Sequence, residues 1–322
     1  MNRVSVVVCT FDRPDSVARL IAAVDGGRVP LNLPTEVVVA DNSPDGRNLE
    51  ALARLRPMRV ELRCVAEPRP GKCTALNTAL GRSRGEIILL TDDDCLPPAD
   101  WIEGMCRPIA AGRADVVGGG VVIPPELRKP WMGEIHRTIL LDGVGRVAPA
   151  WRMIGANAAF SRAVLEKVPA FDQELGPAGT GAGEDSLFFA QMREAGYRSV
   201  YAGDEATVVH RFDPFRLTRV AFLRAVAILG RSEAYIDHHW EHRAVRRPRL
   251  KMLISLVGLW AMRLRHPGAF SEGEGIDPRE FHQLKRIHFF RQIAVEQRRP
   301  RAYARHGLRK LEHRHASGRR AA

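Results

Sequence analysis

Up to Leu90 the chain alternates short β-branched runs with helical patterns, in the order Val4–Val8, Pro14–Val24, Glu36–Ala40, Val60–Val65, Thr74–Leu80 and Glu86–Leu90. That alternation predicts an α/β fold built on a mostly parallel, doubly wound sheet with helices on both faces. In such sheets ligands lie in the crevice beyond the carboxyl ends of the strands, so the residues that follow each strand are the ones to read for chemistry. They are Cys9-Thr10-Phe11, Asp41-Asn42-Ser43 and Asp92-Asp93-Asp94. Polar groups from three strands thus converge on one edge.

With 322 residues, 45% of them hydrophobic and 27% charged, the chain holds enough apolar material for one large domain or one domain with an appendage, which argues against disorder throughout. Its cysteines (Cys9, Cys64, Cys73, Cys95 and Cys106) are scattered, lack C-x-x-C spacing and leave one over. Neither a disulfide framework nor a cysteine-rich zinc site is expected, and a reducing cytosol fits. The apolar run Val4–Val8 is too short for a signal peptide and leads into the turn-like Thr10-Phe11-Asp12-Arg13-Pro14, so it reads as a first strand. Charge is concentrated at the far end. From Glu241 to Ala322 there are 20 Lys+Arg against 7 Asp+Glu, a surplus of 13, whereas the remaining 29 and 30 leave −1 of the net +12. A basic tail on a near-neutral body points to an anionic partner, with membrane surface and nucleic acid both open.

Beyond residue 112 the pattern loosens into Gly118-Gly119-Gly120, short strands and Pro124-Pro125, which predicts a loop-rich half-sheet. The spacing of Leu187, Phe188, Ala190, Met192 and Ala195 predicts a helix closed by Gly196, with Glu184-Asp185 in its first turn, followed by a strand over Ser199–Ala202. Past Pro214 the chain reads as helical and increasingly basic. The apolar stretch Leu250–Leu264 is shorter than the roughly 20 residues needed to span a bilayer, so an interfacial or core helix is expected. The run His238-His239-Trp240-Glu241-His242 lacks H-E-x-x-H and reads as a charged amphipathic helix rather than a metal site.

Three consecutive aspartates after the apolar Ile87-Ile88-Leu89-Leu90 would repel one another if ionised and unpaired, so positive charge belongs among them. A divalent metal fits. Hard cations such as Mn2+ or Mg2+ take carboxylate and phosphate oxygens together and keep one or two protein carboxylates in phosphate sites. The plainer alternative is an acidic turn ahead of the helix after Pro97-Pro98, where negative charge near an N-terminus is mildly stabilising. The position at a strand's carboxyl end, with Asp41 after another strand, favours a ligand site.

The order of four segments carries a more specific signal: Val-Val-Val-Cys-Thr-Phe-Asp-Arg-Pro at 6–14, Val-Val-Ala-Asp-Asn-Ser at 38–43, Gly-Lys-Cys-Thr-Ala-Leu-Asn-Thr-Ala-Leu at 71–80 and Leu-Leu-Thr-Asp-Asp-Asp at 89–94. With Gly-Ala-Asn-Ala-Ala-Phe at 155–160, Gly-Glu-Asp-Ser at 183–186 and His210, it resembles the family 2 glycosyltransferases, which have a GT-A-type, Rossmann-like fold. The likeness covers residues 1–215 and rests on the combination in order. It implies a catalytic domain over 1–215, with a nucleotide-binding half at 1–111 and an acceptor half at 112–215, and leaves 216–322 as a helical, basic extension open to membrane association. It implies further that Thr10, Phe11 and Arg13 line the nucleotide pocket, that Asp41 bonds the base, that Asp92 holds the ribose with Asp93 in support, and that Asp94 holds the metal. Asp185 becomes the general base of an inverting transfer, with Glu184 as its alternate. The donor is then a nucleotide-diphosphate sugar and the acceptor a saccharide or lipid-linked glycan.

Taken by themselves, these residues admit plainer roles too. An ionised Asp41 accepts hydrogen bonds only, which suits a base's imino N–H, but Asp-Asn-Ser-Pro-Asp-Gly is also an ordinary Asx-turn. Lys72 opens a helix, where a cation is unfavourable unless an anion is near, so a phosphate-side role and a surface role stand level. Glu184-Asp185 can be a proton acceptor or a helix cap. His210 completes the metal site or the pyrophosphate contacts, or is structural. Gly155 and Asn157 suit the floor between donor and acceptor, where small residues allow close backbone approach, and Trp151 suits stacking on a sugar or a place in the core. Two other functions compete. A sugar nucleotidyltransferase would share the sheet and metal chemistry, but the chain has no Gly-rich, Arg/Lys-bearing triphosphate loop after the first strand. A nucleic-acid-binding protein could use the basic tail, but few aromatics interleave with its charges and no module is recognised, which argues against it. The alternation of Arg243, Arg246, Arg247 and Arg249 with Leu250–Leu264 suits peripheral attachment to an anionic membrane surface, on the cytoplasmic face.

Overall fold

The computed structural model describes residues 3–28, 33–144, 153–267 and 274–312. Trp151 therefore lies outside the described residues. Strands β1 (Val4–Thr10), β2 (Thr35–Asp41), β3 (Glu61–Ala66) and β4 (Ile87–Thr91) fall where the β-branched runs predict them. Farther along come β5 (Cys95–Leu96), β6 (Val116–Gly118), β7 (Val121–Val122), β8 (Asn157–Ser161), β9 (Ser199–Tyr201) and β10 (Val208–His210). The central sheet has the order β3-β2-β1-β4-β8-β6-β9, and a small second sheet has the order β5-β10-β7. Within the central sheet β8 runs antiparallel to β4 and β6, while the other described pairings are parallel.

Both faces of this sheet are covered, which is why its strands read as continuous apolar runs rather than alternating ones. Val4, Val6 and Val8 of β1 pack on one face with Val17, Leu20 and Val24 of α1 (Pro14–Gly26) and with Trp101 and Met105 of α4 (Trp101–Ala110). Val7, with Val38, Ile88 and Leu90, faces the other way, onto Ala75 and Ala79 of α3 (Lys72–Arg82) and Phe188 and Met192 of α7 (Glu184–Glu194). Each valine or leucine so buried contributes about 1.5–3 kcal/mol relative to exposure. The short helices α2 (Arg47–Leu52), α5 (Glu134–Leu140) and α6 (Val164–Lys167) lie in the connections.

The C-terminal region is helical, as its pattern predicts: α8 (Arg219–His239), α9 (Pro248–Arg265) and α10 (Pro278–Glu296). Thr218 and Asp277 cap α8 and α10 with their side-chain oxygens, and Pro248 and Pro278 sit in first turns, where a missing N–H costs nothing. Gly230 lets α10 approach α8 closely, because a Cβ there would come within 2.6 Å of the Lys285 carbonyl oxygen. No helix among the described residues is long and apolar enough to cross a membrane.

One expectation is corrected here. The run from His238 to His242 does not form the expected charged amphipathic helix: α8 ends at His239, and His238, His239 and Trp240 are buried. His239 Nδ1 accepts from the Ala302 N–H at 3.0 Å, so its Nε2 donates to Glu296 at 3.0 Å. His238 Nε2 bonds the Arg299 carbonyl at 3.2 Å and His242 Nε2 the Tyr303 carbonyl at 3.0 Å. The pattern misleads because the chain returns over this face after α10.

The returning segment grips the loop ahead of α7. Tyr235 and Tyr303 each donate to Asp172 Oδ2 at 2.8 Å, Lys310 reaches Asp172 Oδ1 at 2.5 Å, and Arg299 and Lys310 both hold Glu174. Asp172→Ala takes the acceptor from the buried Tyr303 hydroxyl, leaves Tyr235 only Glu174 Oε2 at 2.9 Å and removes the buried partner of Lys310, so it should lower the unfolding free energy by about 3 kcal/mol, read from urea midpoints. Lys310→Met, removing a partly exposed partner, should cost less than about 1 kcal/mol. Burial works against the Glu174 carboxylate, but Arg299 and Lys310 prevail and pull its pKa from 4.5 to about 2. A depressed acid stabilises above its ordinary pKa, so the grip should weaken as pH falls from about 4.5 to about 2, seen as faster hydrogen exchange over residues 302–311, and Glu174→Gln should remove that pH dependence.

Candidate functional site

Register brings the polar strand ends together. Thr10 pairs with Asp41 across β1 and β2, and β4 runs beside β1 so that Asp92, Asp93 and Asp94 emerge at the same edge. Sheet order reverses at β1, with β2 and β3 on one side and β4 on the other, which makes this crevice the switch point.

The acidic run is neutralised by the chain's own cations. Arg13 Nη1 lies 3.1 Å from Asp93 Oδ1 and 3.0 Å from Asp94 Oδ2, and the Thr10 hydroxyl donates to Asp93 Oδ2 at 2.7 Å. Burial, with the charge of Asp94 adding to it, pushes Asp93 up to about 6. Burial acts on Asp94 too, but His210, Arg13 and Arg216 outweigh it and hold that carboxyl well below the usual range. Asp92 points elsewhere, to Lys72 Nζ at 2.8 Å.

Lys72 is placed by Gly71, whose φ of 127° and a virtual Cβ 2.9 Å from the Ala178 Cβ admit no side chain. A cation in the first turn of α3 works against the helix dipole by about 0.3–1 kcal/mol. Asp92 and Glu184, the latter at 3.4 Å, offset that cost. Burial disfavours the ammonium, yet these two acids raise its pKa well above the ordinary value.

Glu184 and Asp185 open α7 but face different ways. Glu184 is buried against Lys72, and burial, reinforced by Asp185, raises its pKa. Asp185 is less buried and is held by backbone donors, Gly155 N–H to Oδ2 at 3.0 Å and Ser186 N–H to Oδ1 at 2.7 Å. The structure thus joins Gly155 and Asp185.

Asp41 is 1% exposed. Its Oδ1 accepts from the Ser43 N–H at 2.9 Å, the Asx-turn, and from Asn48 Nδ2 at 2.8 Å. Its Oδ2 is buried and has no partner among the described residues. The turn and the Asn48 bond use only one oxygen, so the turn by itself does not exclude a ligand on the other. Phe11 is 56% exposed at the end of β1.

Asn157 is placed differently from the expectation. Its Oδ1 accepts from Trp101 Nε1 at 2.9 Å, and its Nδ2 donates to the Gly120 and Ala206 carbonyls at 2.8 and 2.7 Å. Fully buried and engaged at both ends, it ties β8 to the neighbouring loops and offers nothing to an acceptor.

Two residues absent from the sequence-based set belong here. Asn48 positions Asp41 from seven residues downstream. Arg216 stands 3.1 Å from His210 Nε2 and over the Phe212 ring at 5.2 Å, and burial lowers its pKa although Asp94 opposes this. The signal for Arg216 was the Asp213-Pro214 turn after β10, where the Asp213 carboxylate caps the next N–H at 2.8 Å and turns the chain back. Nothing local marks Asn48.

His210 Nδ1 donates to the Leu140 carbonyl at 3.0 Å, which leaves Nε2, 3.5 Å from Asp94 Oδ1 and 3.1 Å from Arg216 Nη1, as the ring nitrogen that a cation would have to claim from these two neighbours. One buried carboxylate and one oriented imidazole fit a cation that shares its remaining positions with phosphate oxygens. Among the described residues no group of three or more His, Cys, Asp or Glu forms an all-protein cage.

The sequence matches the family model for glycosyl transferase family 2 over residues 5–169. It is 28% identical over 119 residues to glycosyltransferase AglE of Haloferax volcanii, covering 37% of this chain and 39% of that one. It is 26% identical over 220 residues to protein y4gI of Sinorhizobium fredii, covering 62% and 23%. The matches thus span well under two thirds of either relative. The fold is similar to that of mannosyltransferase PcManGT from Pyrobaculum calidifontis, solved with GDP-Man and Mn2+, at a TM-score of 0.57 and 20% identity over 92% of this chain and 86% of that one. It is also similar to residues 1–349 of S. aureus TarS, at a TM-score of 0.51 and 15% identity over 94% and 93%. These likenesses establish a GT-A-type fold.

Asn157→Ala should strand the Trp101 N–H and two buried carbonyls, lowering stability by about 2–4 kcal/mol in thermal or urea unfolding. Nucleotide affinity of the folded fraction should stay within about two-fold, since no Asn157 atom is free to contact a ligand.

Proposed function

The chain belongs to glycosyl transferase family 2, and from that premise we propose that it is an inverting glycosyltransferase that moves a sugar from a nucleotide-diphosphate sugar to a saccharide or lipid-linked acceptor. Residues 1–215 are its catalytic domain in this reading, with 1–111 for the nucleotide and 112–215 for the acceptor, and 216–322 form the C-terminal region. The free cysteines and basic C-terminal region support a cytoplasmic enzyme of polysaccharide or cell-envelope synthesis, peripheral on the membrane.

The observation that carries the reading is the buried, unpartnered Asp41 Oδ2 at the switch point, one strand from the acidic run. Leaving such an oxygen without a donor costs about 1–3 kcal/mol, which a bound imino N–H returns. Uracil, thymine and guanine carry that group, so a uridine, thymidine or guanosine diphosphate sugar is the expected donor. Thr10, Phe11 and Arg13 line the pocket, Asp92 accepts from the ribose with Lys72 fixing its carboxylate, and Asp93 holds Thr10 and Arg13 in place. Asp94 and His210 would hold Mn2+ or Mg2+, which when bound supplies Lewis-acid stabilisation of the departing diphosphate.

The proton goes to Asp185. As the acceptor oxygen attacks the anomeric carbon, its hydrogen passes to the Asp185 carboxylate, and the bond to the nucleoside diphosphate breaks with its electrons on the leaving oxygen. Attack opposite the leaving group inverts the centre. Glu184 is the weaker choice because it is buried in its pair with Lys72, whereas the Gly155 and Ser186 N–H groups aim Asp185 without consuming its charge. The loop at Gly155 supports the acceptor, with Trp151 proposed to stack on its sugar.

Asp185→Asn should lower kcat by about 10²–10⁴-fold and leave donor affinity near wild type in calorimetry. Asp94→Ala should abolish the Mn2+-dependent part of donor binding. Turnover retained in Asp185→Asn would remove that residue as base.

A further inference from the structure

Among the described residues, helix α9 is bound to the rest of the protein by one side only. Ser255 and Leu259 are its buried residues, and Gly258 faces Gln283 of α10. On the opposite side Leu253, Val257, Trp260 and Leu264 follow one another at helical spacing, flanked by Leu250 and Ile254, and every one of them is exposed, Trp260 by 65%. A row at i, i+4, i+7 and i+11 is a single stripe along the helix. Stripes of this kind normally turn inward, and a contiguous apolar face left in water marks a surface that something covers.

The charges beside the stripe identify what covers it. Arg246, Arg247, Arg249 and Lys251 gather at the start of α9 and Arg265 at its end, and no Asp or Glu occurs between Glu241 and Glu272. Basic residues at both ends of an apolar face, with an interfacial tryptophan on it, match a layer that is apolar inside and anionic at its rim. We propose that α9 lies flat in the headgroup region of an anionic lipid bilayer, with Leu253, Val257, Trp260 and Leu264 inserted toward the acyl chains and the flanking arginines on lipid phosphates. The helix lies on the bilayer rather than through it, because its charges and composition do not allow it to cross. This surface is independent of the sugar-transfer site and does not rest on it.

The test uses the full chain and flotation with vesicles of phosphatidylcholine alone or doped with phosphatidylglycerol. Wild type should float with the anionic vesicles and at least ~10-fold less with the neutral ones, and raised salt should weaken the binding. Leu253→Glu/Val257→Glu should lose flotation by a similar factor, and Arg249→Glu/Lys251→Glu should lose the preference for anionic lipid. Both pairs are exposed, so circular dichroism and nucleotide-diphosphate affinity should match wild type and separate this outcome from misfolding or from an error about the site. Brominated lipid should quench wild-type fluorescence more than that of Trp260→Phe. Flotation of Leu253→Glu/Val257→Glu at wild-type levels overturns the proposal. So does a wild-type chain that ignores anionic vesicles and forms a dimer that the same substitutions dissolve.

Discussion

A crowd of carboxylates at the ends of β1, β2 and β4 can coexist only if cations are fixed among them, and the backbone places two there at the least comfortable positions for a cation. Arg13 immediately precedes α1 and Lys72 is the first residue of α3, each facing a helix's positive end. Asp12, at a φ of 53°, turns the chain ahead of Arg13, and Gly71 does so ahead of Lys72. Backbone strain at one and a glycine at the other are sustained because Asp93 and Asp94 need the first cation, and Asp92 and Glu184 the second. The arrangement is poised. Arg13 is half-exposed and can exchange partners, while Lys72 is held inside.

The same constraint reaches into the C-terminal region. Glu184 can serve Lys72 only if the glycine-rich loop before α7 holds its course, and that loop is fastened from outside by Tyr235, Tyr303, Arg299 and Lys310 through Asp172 and Glu174. The helices after residue 216 therefore do more than extend the chain: α8 and the segment after α10 close over the side of the loop that leads to the candidate base. A charged tail with a folded, acid-gripping segment in it explains why part of its basic surplus is already matched internally.

The central fold was legible because a sheet buried on both faces forces unbroken apolar strands, and these stand out from helical spacing even in one sequence. The acidic run and Asp41 were legible for a related reason: polar residues directly after such strands have only the crevice to occupy. Partners across long separations were not. Asn48 carries no local mark of its bond to Asp41, and Arg216 shows only the turn that redirects it. The histidines at 238–242 read as part of a charged amphipathic helix, and nothing before residue 296 announces that the chain will return over them.

Asn157 shows how a residue can position a candidate base without touching it. Trp101, Gly120 and Ala206 all converge on its amide, which fixes the start of β8 against α4 and the loops beside β7 and β10. Two residues earlier lies Gly155, whose N–H holds Asp185 Oδ2. The position of that donor is therefore inherited from a fully satisfied buried amide rather than from a mobile loop. An ionised carboxylate has several lone-pair directions and would otherwise rotate freely. Tied at one oxygen to Gly155 and at the other to Ser186, Asp185 keeps one orientation, and that orientation ultimately rests on the residue first read as acceptor-binding.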